Sequence, residues 1–405
     1  MNIADGEVRK AADEAARKRW DELAGELAAI RGREPKALPT ALAYCDKSGK
    51  PAETWLFRRG DFHDRGIPVE LGFVTVMSRG KPAADYWKQA RAAGNRNDTT
   101  FQRKALATWI TDAERGAGPL VARVIVNRVW QHHFGEGLVR TPNDFGIRGE
   151  KPTHPELLEW LAADFVAHGW KLKRLHRMIL LSAAYRQGAT FDAAKSKIDP
   201  ENRLLWRMRP RRLEAEALRD ALLVAGGTLN RTMYGPAFKP PIPADAMVAR
   251  NLQSPYPKNA AEGPEDRRRS VYMFHKRVIP YPLFQVFDAP DAQQCTGRRS
   301  VTTVAPQALA LLNDPFVRAR AIDFASRLRK DTNGEPEKMI DRAYRLAFCR
   351  PSTERERAAG VAFLEHQVRE RTVRNAKTLR DDIHRQALAD YCQVLFGLNE
   401  FIYVD

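Results

Sequence analysis

The sequence predicts a mainly α chain: a multi-helix array with a small β annex at about residues 54–77, joined by 271–278, and a long Pro-rich irregular segment. Three observations predict it. Apolar residues recur at i, i+3 and i+4 along most of the chain, glycines fall just beyond many of these runs, and strand-like texture is confined to one short stretch.

Val8 to Ile30 reads as one long helix because Trp20, Leu23, Leu27 and Ile30 recur at helical spacing, and Pro35 and Pro39 end it. Between Thr54 and Met77 the residues Trp55, Phe57, Val69, Phe73, Val74 and Val76 are spaced by Gly60, Gly66 and Gly72, which reads as short strands joined by turns. A helix follows from about Phe101 to Ile110. The next runs from Leu120 to Phe134, with Val121, Ile125 and Val129 aligned toward His133 and Gly135 placed for a left-handed cap. Thr153, Pro155 and Glu156 announce a helix that stops at Gly169, with Thr153 and Glu156 as a capping box. Helices at Trp170–Tyr185 and Leu213–Val224 precede a segment with seven prolines between Asn230 and Asp266. Val271 to Val278 reads as a strand. The remainder is helical: Pro306–Leu312, Phe316–Leu328, Pro336–Phe348, Glu354–Val368 and Ala376–Leu398, with a second capping box at Thr353 and Glu356.

The predicted organisation is 1–35 as an N-terminal helix, the tail of an upstream domain; 54–229 as a helical unit with the β annex; 230–266 as a connection or lid; and 267–405 as a C-terminal helical unit packed on the preceding one. Hydrophobic residues at 43% place the chain among globular proteins, away from the disordered class. Nothing from Met1 to Ala15 resembles a signal peptide. No apolar run approaches the roughly 20 residues of a membrane span.

Cys45, Cys295, Cys349 and Cys392 form no C-x-x-C pair, so zinc-ribbon and thioredoxin-like motifs are excluded; they read as core thiols, with room for one disulfide. Without C-x-x-C-H the chain cannot attach a c-type haem. Nucleophile-elbow, P-loop, dinucleotide-binding and H-E-x-x-H motifs are also missing from the sequence.

A surplus of 67 Lys+Arg over 50 Asp+Glu gives a net charge of +17, which attracts polyanions: nucleic acid, an anionic polysaccharide or an acidic protein surface. The basic residues are spread over many helices and carry no nucleic-acid-binding signature, which places nucleic acid third.

Two sets of residues are candidates for chemistry. His132, Asp144 and His154 lie on or beside two polar loops and could act as acid–base pair and orienting carboxylate, or bind a divalent metal. Local structure explains much of the same stretch, because Asp144 suits a turn acceptor and His133 continues an apolar stripe. The second set, Arg267, Arg269, Arg277, Arg298 and Arg299, could form an anion-binding groove, the competing use being pairing with Asp288 and Asp291. Arg212 and Glu216 are spaced to pair along one helix, and Arg219 and Asp220 read as its surface charges.

Several blocks, in order, resemble the C-terminal domain of unknown function of planctomycete surface proteins, the PSD-type domain often joined to cytochrome c-like domains. They are Arg58-Arg59-Gly60-Asp61, Asn127-Arg128-Val129-Trp130 through His133-Phe134-Gly135, Thr141-Pro142-Asn143-Asp144-Phe145-Gly146, and Pro152-Thr153-His154-Pro155-Glu156-Leu157. Tyr185-Arg186-Gln187, Arg211-Arg212-Leu213-Glu214-Ala215-Glu216, Arg269-Ser270-Val271-Tyr272 and Asn399 to Asp405 continue the series. Asn127, Arg128, Trp130, His133, Thr153 and Glu156 read as its structural motif. The resemblance carries no settled activity. It implies an exported, extracytoplasmic setting, a cytochrome c-like partner and, for some members, genes encoded near those of polysaccharide-degrading enzymes. The leading expectation is therefore a binding or scaffolding module presenting a basic groove to an anionic glycan or a cytochrome-bearing partner. The alternative is a hydrolase of polyanions working through His132, Asp144 and His154, with or without a metal.

Overall fold

The computed structural model describes residues 13–33, 43–243, 246–247, 262–374 and 379–404, and the chain divides into two compact units, Met1–Lys47 and Ser48–Asp405. In the first unit, helix α1 (Glu14–Gly32) starts at Asp13, whose carboxylate accepts from the Ala16 amide at 2.8 Å. The expected start at Val8 lies outside the described residues. α1 buries none of its residues, so the stripe of Trp20, Leu23, Leu27 and Ile30 stays exposed.

The second unit opens with β1 (Thr54–Phe57) and β2 (Arg65–Val69), an antiparallel pair with Thr54 opposite Val69 and an irregularity between Trp55 and Phe57. The annex is thus real but ends at Val69; residues 75–77 form a 3-10 turn. Helices α2 (Ala83–Ala92) and α3 (Gln102–Thr111) follow, and Tyr86, Ala90, Ala105 and Trp109 form a first small core with Ala117. α2 lies outside every element the sequence predicts.

α4 (Gly118–Phe134), α5 (Pro155–Ala167) and α6 (Leu172–Leu181) enclose a second core. Its α4 stripe is Ala122, Val126, Trp130 and Phe134, one position beyond the predicted Val121, Ile125 and Val129, which are half-buried at its edge. The Trp130 and Phe134 rings stack at 4.3 Å, one helical turn apart. Gly135 ends α4 with φ +84°, the left-handed cap its position predicts. A short helix α7 (Ala193–Ile198) follows.

The third and largest core lies between α8 (Ala215–Ala225), α9 (Pro282–Val286), α10 (Ala305–Asn313), α11 (Pro315–Thr332), α12 (Pro336–Ala347), α13 (Glu354–Arg374) and α14 (Arg380–Phe396). Phe324 of α11 and Phe396 of α14 stack at its centre, 5.7 Å apart and both fully buried. After α15 (Asn399–Ile402), β4 (Tyr403–Val404) pairs antiparallel with β3 (Arg211–Arg212), and the Leu213 amide donates to Ile402 O at 2.7 Å. The C-terminal block is thereby tied to the segment entering α8.

Three expectations need correction. Residues 271–278 do not form a strand: 270–272 make a 3-10 turn, and Met273 and Lys276 take part only in isolated bridges with Phe238 and Ile279. The Thr153 hydroxyl points to Leu138 O at 3.4 Å, so Thr153 and Glu156 make no capping box and His154 occupies the N-cap of α5. The four cysteines are all free thiols, and Cys392 is the buried one while Cys45, Cys295 and Cys349 are exposed. Among the described residues no helix is long and apolar enough to cross a membrane.

The second capping box is present. The Thr353 amide donates to Glu356 at 2.8 Å and the Glu356 amide to the Thr353 hydroxyl at 3.2 Å. Arg350 grips the same carboxylate through both terminal nitrogens, at 2.9 and 2.7 Å, and holds the Glu356 carboxyl down at about 2. Its folded value lies below the unfolded one, so its stabilisation is present above about pH 4.3 and is lost as pH falls toward 2. In acid titrations followed by circular dichroism, Glu356→Gln is expected to flatten this part of the stability profile; an unchanged profile contradicts it.

Candidate functional site

The loop leaving α4 is built on Asn127. This fully buried amide donates from Nδ2 to Val139 O at 2.9 Å and accepts from Val139 N at 2.8 Å through Oδ1, fastening the chain twelve residues downstream. Gly137 is required beside it: a Cβ there would lie 2.5 Å from Asn127 Nδ2 and 2.6 Å from Val139 O. Glu136, at the bend, faces Arg140 at 3.0 Å, Arg298 at 3.1 Å and Arg209 at 3.4 Å. Burial opposes its charge, yet the arginines hold the carboxyl below the usual carboxylate range.

His132, Asp144 and His154 border this loop without forming a constellation. His132 is exposed and its carbonyl accepts from Arg211 at 2.6 Å; Asp144 closes its own turn by accepting from the Gly146 amide at 2.8 Å; His154 Nδ1 lies 3.0 Å from the Thr153 hydroxyl. Among the described residues no hydrogen bond joins any two of the three, and no group of three His, Cys, Asp or Glu side chains is placed to hold a metal ion. The histidine contact that does exist joins His133 Nε2 to His176 Nδ1 of α6 at 2.8 Å, with Tyr185 edge-on to His133. Burial first, then His176 and Arg211, push the His133 imidazole below its ordinary value.

Four of the five candidate arginines are matched by acids. Arg267 lies 3.3 Å from Glu262, Arg269 3.9 Å from Asp220, Arg298 3.1 Å from Glu136, and Arg299 2.6 Å from Glu216 and 3.4 Å from Glu214. Glu216 is therefore taken by Arg299, and Arg212 turns to Asp288 at 2.7 Å, in place of the predicted Arg212–Glu216 pair. Arg277 differs: it is exposed and, among the described residues, forms no ion pair.

Arg277 lines a groove of about 750 Å³ with His275, Lys276, Glu216, Asp291 and the amide-bearing Gln293. The His275 ring stacks on Phe284 of α9 with centroids 5.9 Å apart, giving this wall a flat face. On the same groove Arg299 keeps Glu216 charged: burial opposes ionisation, and the paired guanidinium holds the carboxyl below its usual range. The groove thus combines a cation unpaired among the described residues, an imidazole ring and neutral hydrogen-bonding amides.

Arg219 is not the surface charge its helical position predicts: only 1% of its side chain is exposed. It donates to the main-chain carbonyls of Arg268, at 3.1 Å, and Asp266. Burial draws its guanidinium pKa down and drives that of neighbouring Tyr281 up.

These features belong to a mainly helical domain. A family model described as "Protein of unknown function (DUF1553)", PSD1, matches residues 102–364, and the chain belongs to that family. No curated protein and no solved structure matches the chain.

Proposed function

We propose that the domain is a binding module whose 275–296 groove takes an anionic glycan. The observation that carries this reading is Arg277, an exposed guanidinium without an acid partner among the described residues, on the wall of a roughly 750 Å³ groove. Planar guanidinium donors suit the carboxylates or sulfates of an acidic sugar, and Gln293 and Gln294 offer amides to hydroxyl groups. The exposed His275 ring, backed by buried Phe284, supplies a flat face against which a sugar ring can lie. The narrower expectation of one continuous basic face built from Arg267, Arg269, Arg298 and Arg299 has less support, because each already has a carboxylate within 4 Å. The same proposal includes the setting implied by the family resemblance: an extracytoplasmic assembly in which the partner is a polysaccharide or a cytochrome-bearing protein.

Affinity electrophoresis in gels cast with polygalacturonate tests it, with neutral dextran and duplex DNA as comparisons. The wild type is expected to be retarded by polygalacturonate and not by dextran. Arg277→Ala should weaken retention about tenfold, as loss of a charged hydrogen bond worth ~1.5 kcal/mol would. Arg298→Ala should change it less than twofold. Equal retardation by DNA, or equal losses from both substitutions, would reduce the attraction to net charge and overturn the groove.

A further inference from the structure

A second cavity, of about 240 Å³, opens where α11 begins and has no part in the groove proposal beyond sharing Tyr281 as a wall. Its apolar lining comes from Pro240, Pro241, Ile242, Pro243, Pro315 and Phe316, and its polar side from Arg219, Tyr281, Asp314, Glu262 and Asp266. The volume falls below the roughly 300–1,000 Å³ of drug-sized sites, so an occupant must be small.

The acids around this cavity are already engaged. Glu262 receives both terminal nitrogens of Arg320, Asp266 accepts from the Gly263 amide at 2.8 Å, and Asp314 accepts from the Phe316 amide at 2.8 Å. Burial also lifts the Asp314 carboxyl above the ordinary carboxylate range, which favours its uncharged form. Arg219 is the group left incomplete. Its guanidinium lies near the rings of Phe316 and Phe238, with centroids 4.9 and 5.3 Å away, and its terminal nitrogens donate to the carbonyls of Arg268 and Asp266 and to the Ser270 hydroxyl, all neutral oxygens. The nearest acid, Asp220, stands 3.9 Å away and is occupied by the amide and hydroxyl of Ser270, at 2.8 and 2.7 Å. Among the described residues Arg219 Nε has no hydrogen-bond partner.

A buried cation whose nearest acid stands 3.9 Å away and is itself taken up by Ser270, and which has one donor unused among the described residues, is costly unless something completes it. We infer that this cavity binds a small organic carboxylate with an apolar body, its carboxylate against Arg219 and its body against Phe316 and the proline wall. The class follows from the lining: a polyhydroxylated sugar would lose its hydration against four prolines, while a bare inorganic anion would leave that wall unfilled.

Calorimetric titration with benzoate as the probe tests the site on the full chain. Saturable binding to the wild type is expected at millimolar or tighter concentration, with benzamide and sulfate each at least tenfold weaker. Ala319→Phe, which fills the cavity from α11, should abolish benzoate binding while leaving polygalacturonate retention intact, separating this site from the groove. If Ala319→Phe does not fold, Ile242→Trp fills the cavity from the opposite wall and must give the same loss. Absence of saturable benzoate binding to the wild type, sulfate binding as tight as benzoate, or benzoate binding undiminished in the folded cavity-filling variant overturns the inference.

Discussion

Arg320→Ala is expected to lower the folding free energy by about 3–5 kcal/mol, measured as a fall in the urea midpoint at an unchanged slope. Arg320 is 1% exposed on α11, facing the third core. Its two terminal nitrogens hold both oxygens of Glu262, its Nε lies 3.0 Å from Asp323, and its guanidinium lies 5.0 Å from the Phe316 ring centroid. Cutting it back to a methyl group takes the two-pronged guanidinium from Glu262, which keeps its 3.3 Å contact with Arg267, deprives Asp323 of an ion-pair partner, and leaves a void where the aliphatic stem packed. The size of the effect comes from this orphaning, since replacing a buried ion pair as a unit costs far less than deleting one member. Arg374→Ala provides the control. Its partner Glu370 is 3.3 Å away on an exposed turn of α13, and such pairs are worth about 0.5 kcal/mol or less. Equal midpoints for the two variants would refute the assignment of Arg320 to the core.

Periodicity made the helices legible because most of them bury one face, and burial is what the spacing of apolar residues encodes. Helices α10 to α12 lie within a few residues of their expected positions, α13 runs six residues past Val368, the expected start of α14 at Ala376 lies outside the described residues, and the Thr353–Glu356 cap, wholly local, was readable outright. Thr153 shows where local reading fails. The same residue pattern stands there, yet the Leu138 carbonyl, fifteen positions upstream, captures the hydroxyl. The arginines follow the same logic over longer distances. The charge clusters were visible, but their neutralising acids come from elsewhere in the chain: Glu136 for Arg298, Glu216 for Arg299, Asp220 for Arg269. Nothing in their spacing distinguishes Arg277, which has no acid partner among the described residues. Arg219 was hidden most completely, because a charged residue on an amphipathic helix reads as solvated and its acceptors are carbonyls of residues 266 and 268, nearly fifty positions away.

Asn127→Ala is expected to cost about 2–5 kcal/mol, because it strands both the amide and the carbonyl of Val139 in a site closed to water, at ~1–3 kcal/mol for each unsatisfied group. Hydrogen exchange supplies a specific readout: the Val139 amide should lose protection before amides in α11 or α14 do. Asn127→Asp sharpens the argument. Its carboxylate can still accept from Val139 N but meets Val139 O where Nδ2 used to donate, so the buried acid favours its protonated form and its folded pKa rises above the unfolded ~3.9. A raised folded value stabilises fully below the unfolded one and loses that contribution as pH rises through the folded one. The stability gap between Asn127→Asp and the wild type should therefore widen from pH 4 to pH 7, while the gap for Asn127→Ala stays level. The consequence reaches the site, since the clamp fixes the bend carrying Glu136, the acid that matches Arg298. Loosening it should free Arg298 and raise retention on polygalacturonate, whereas a Val139 amide that keeps its protection in Asn127→Ala would mean the bend is held by something else.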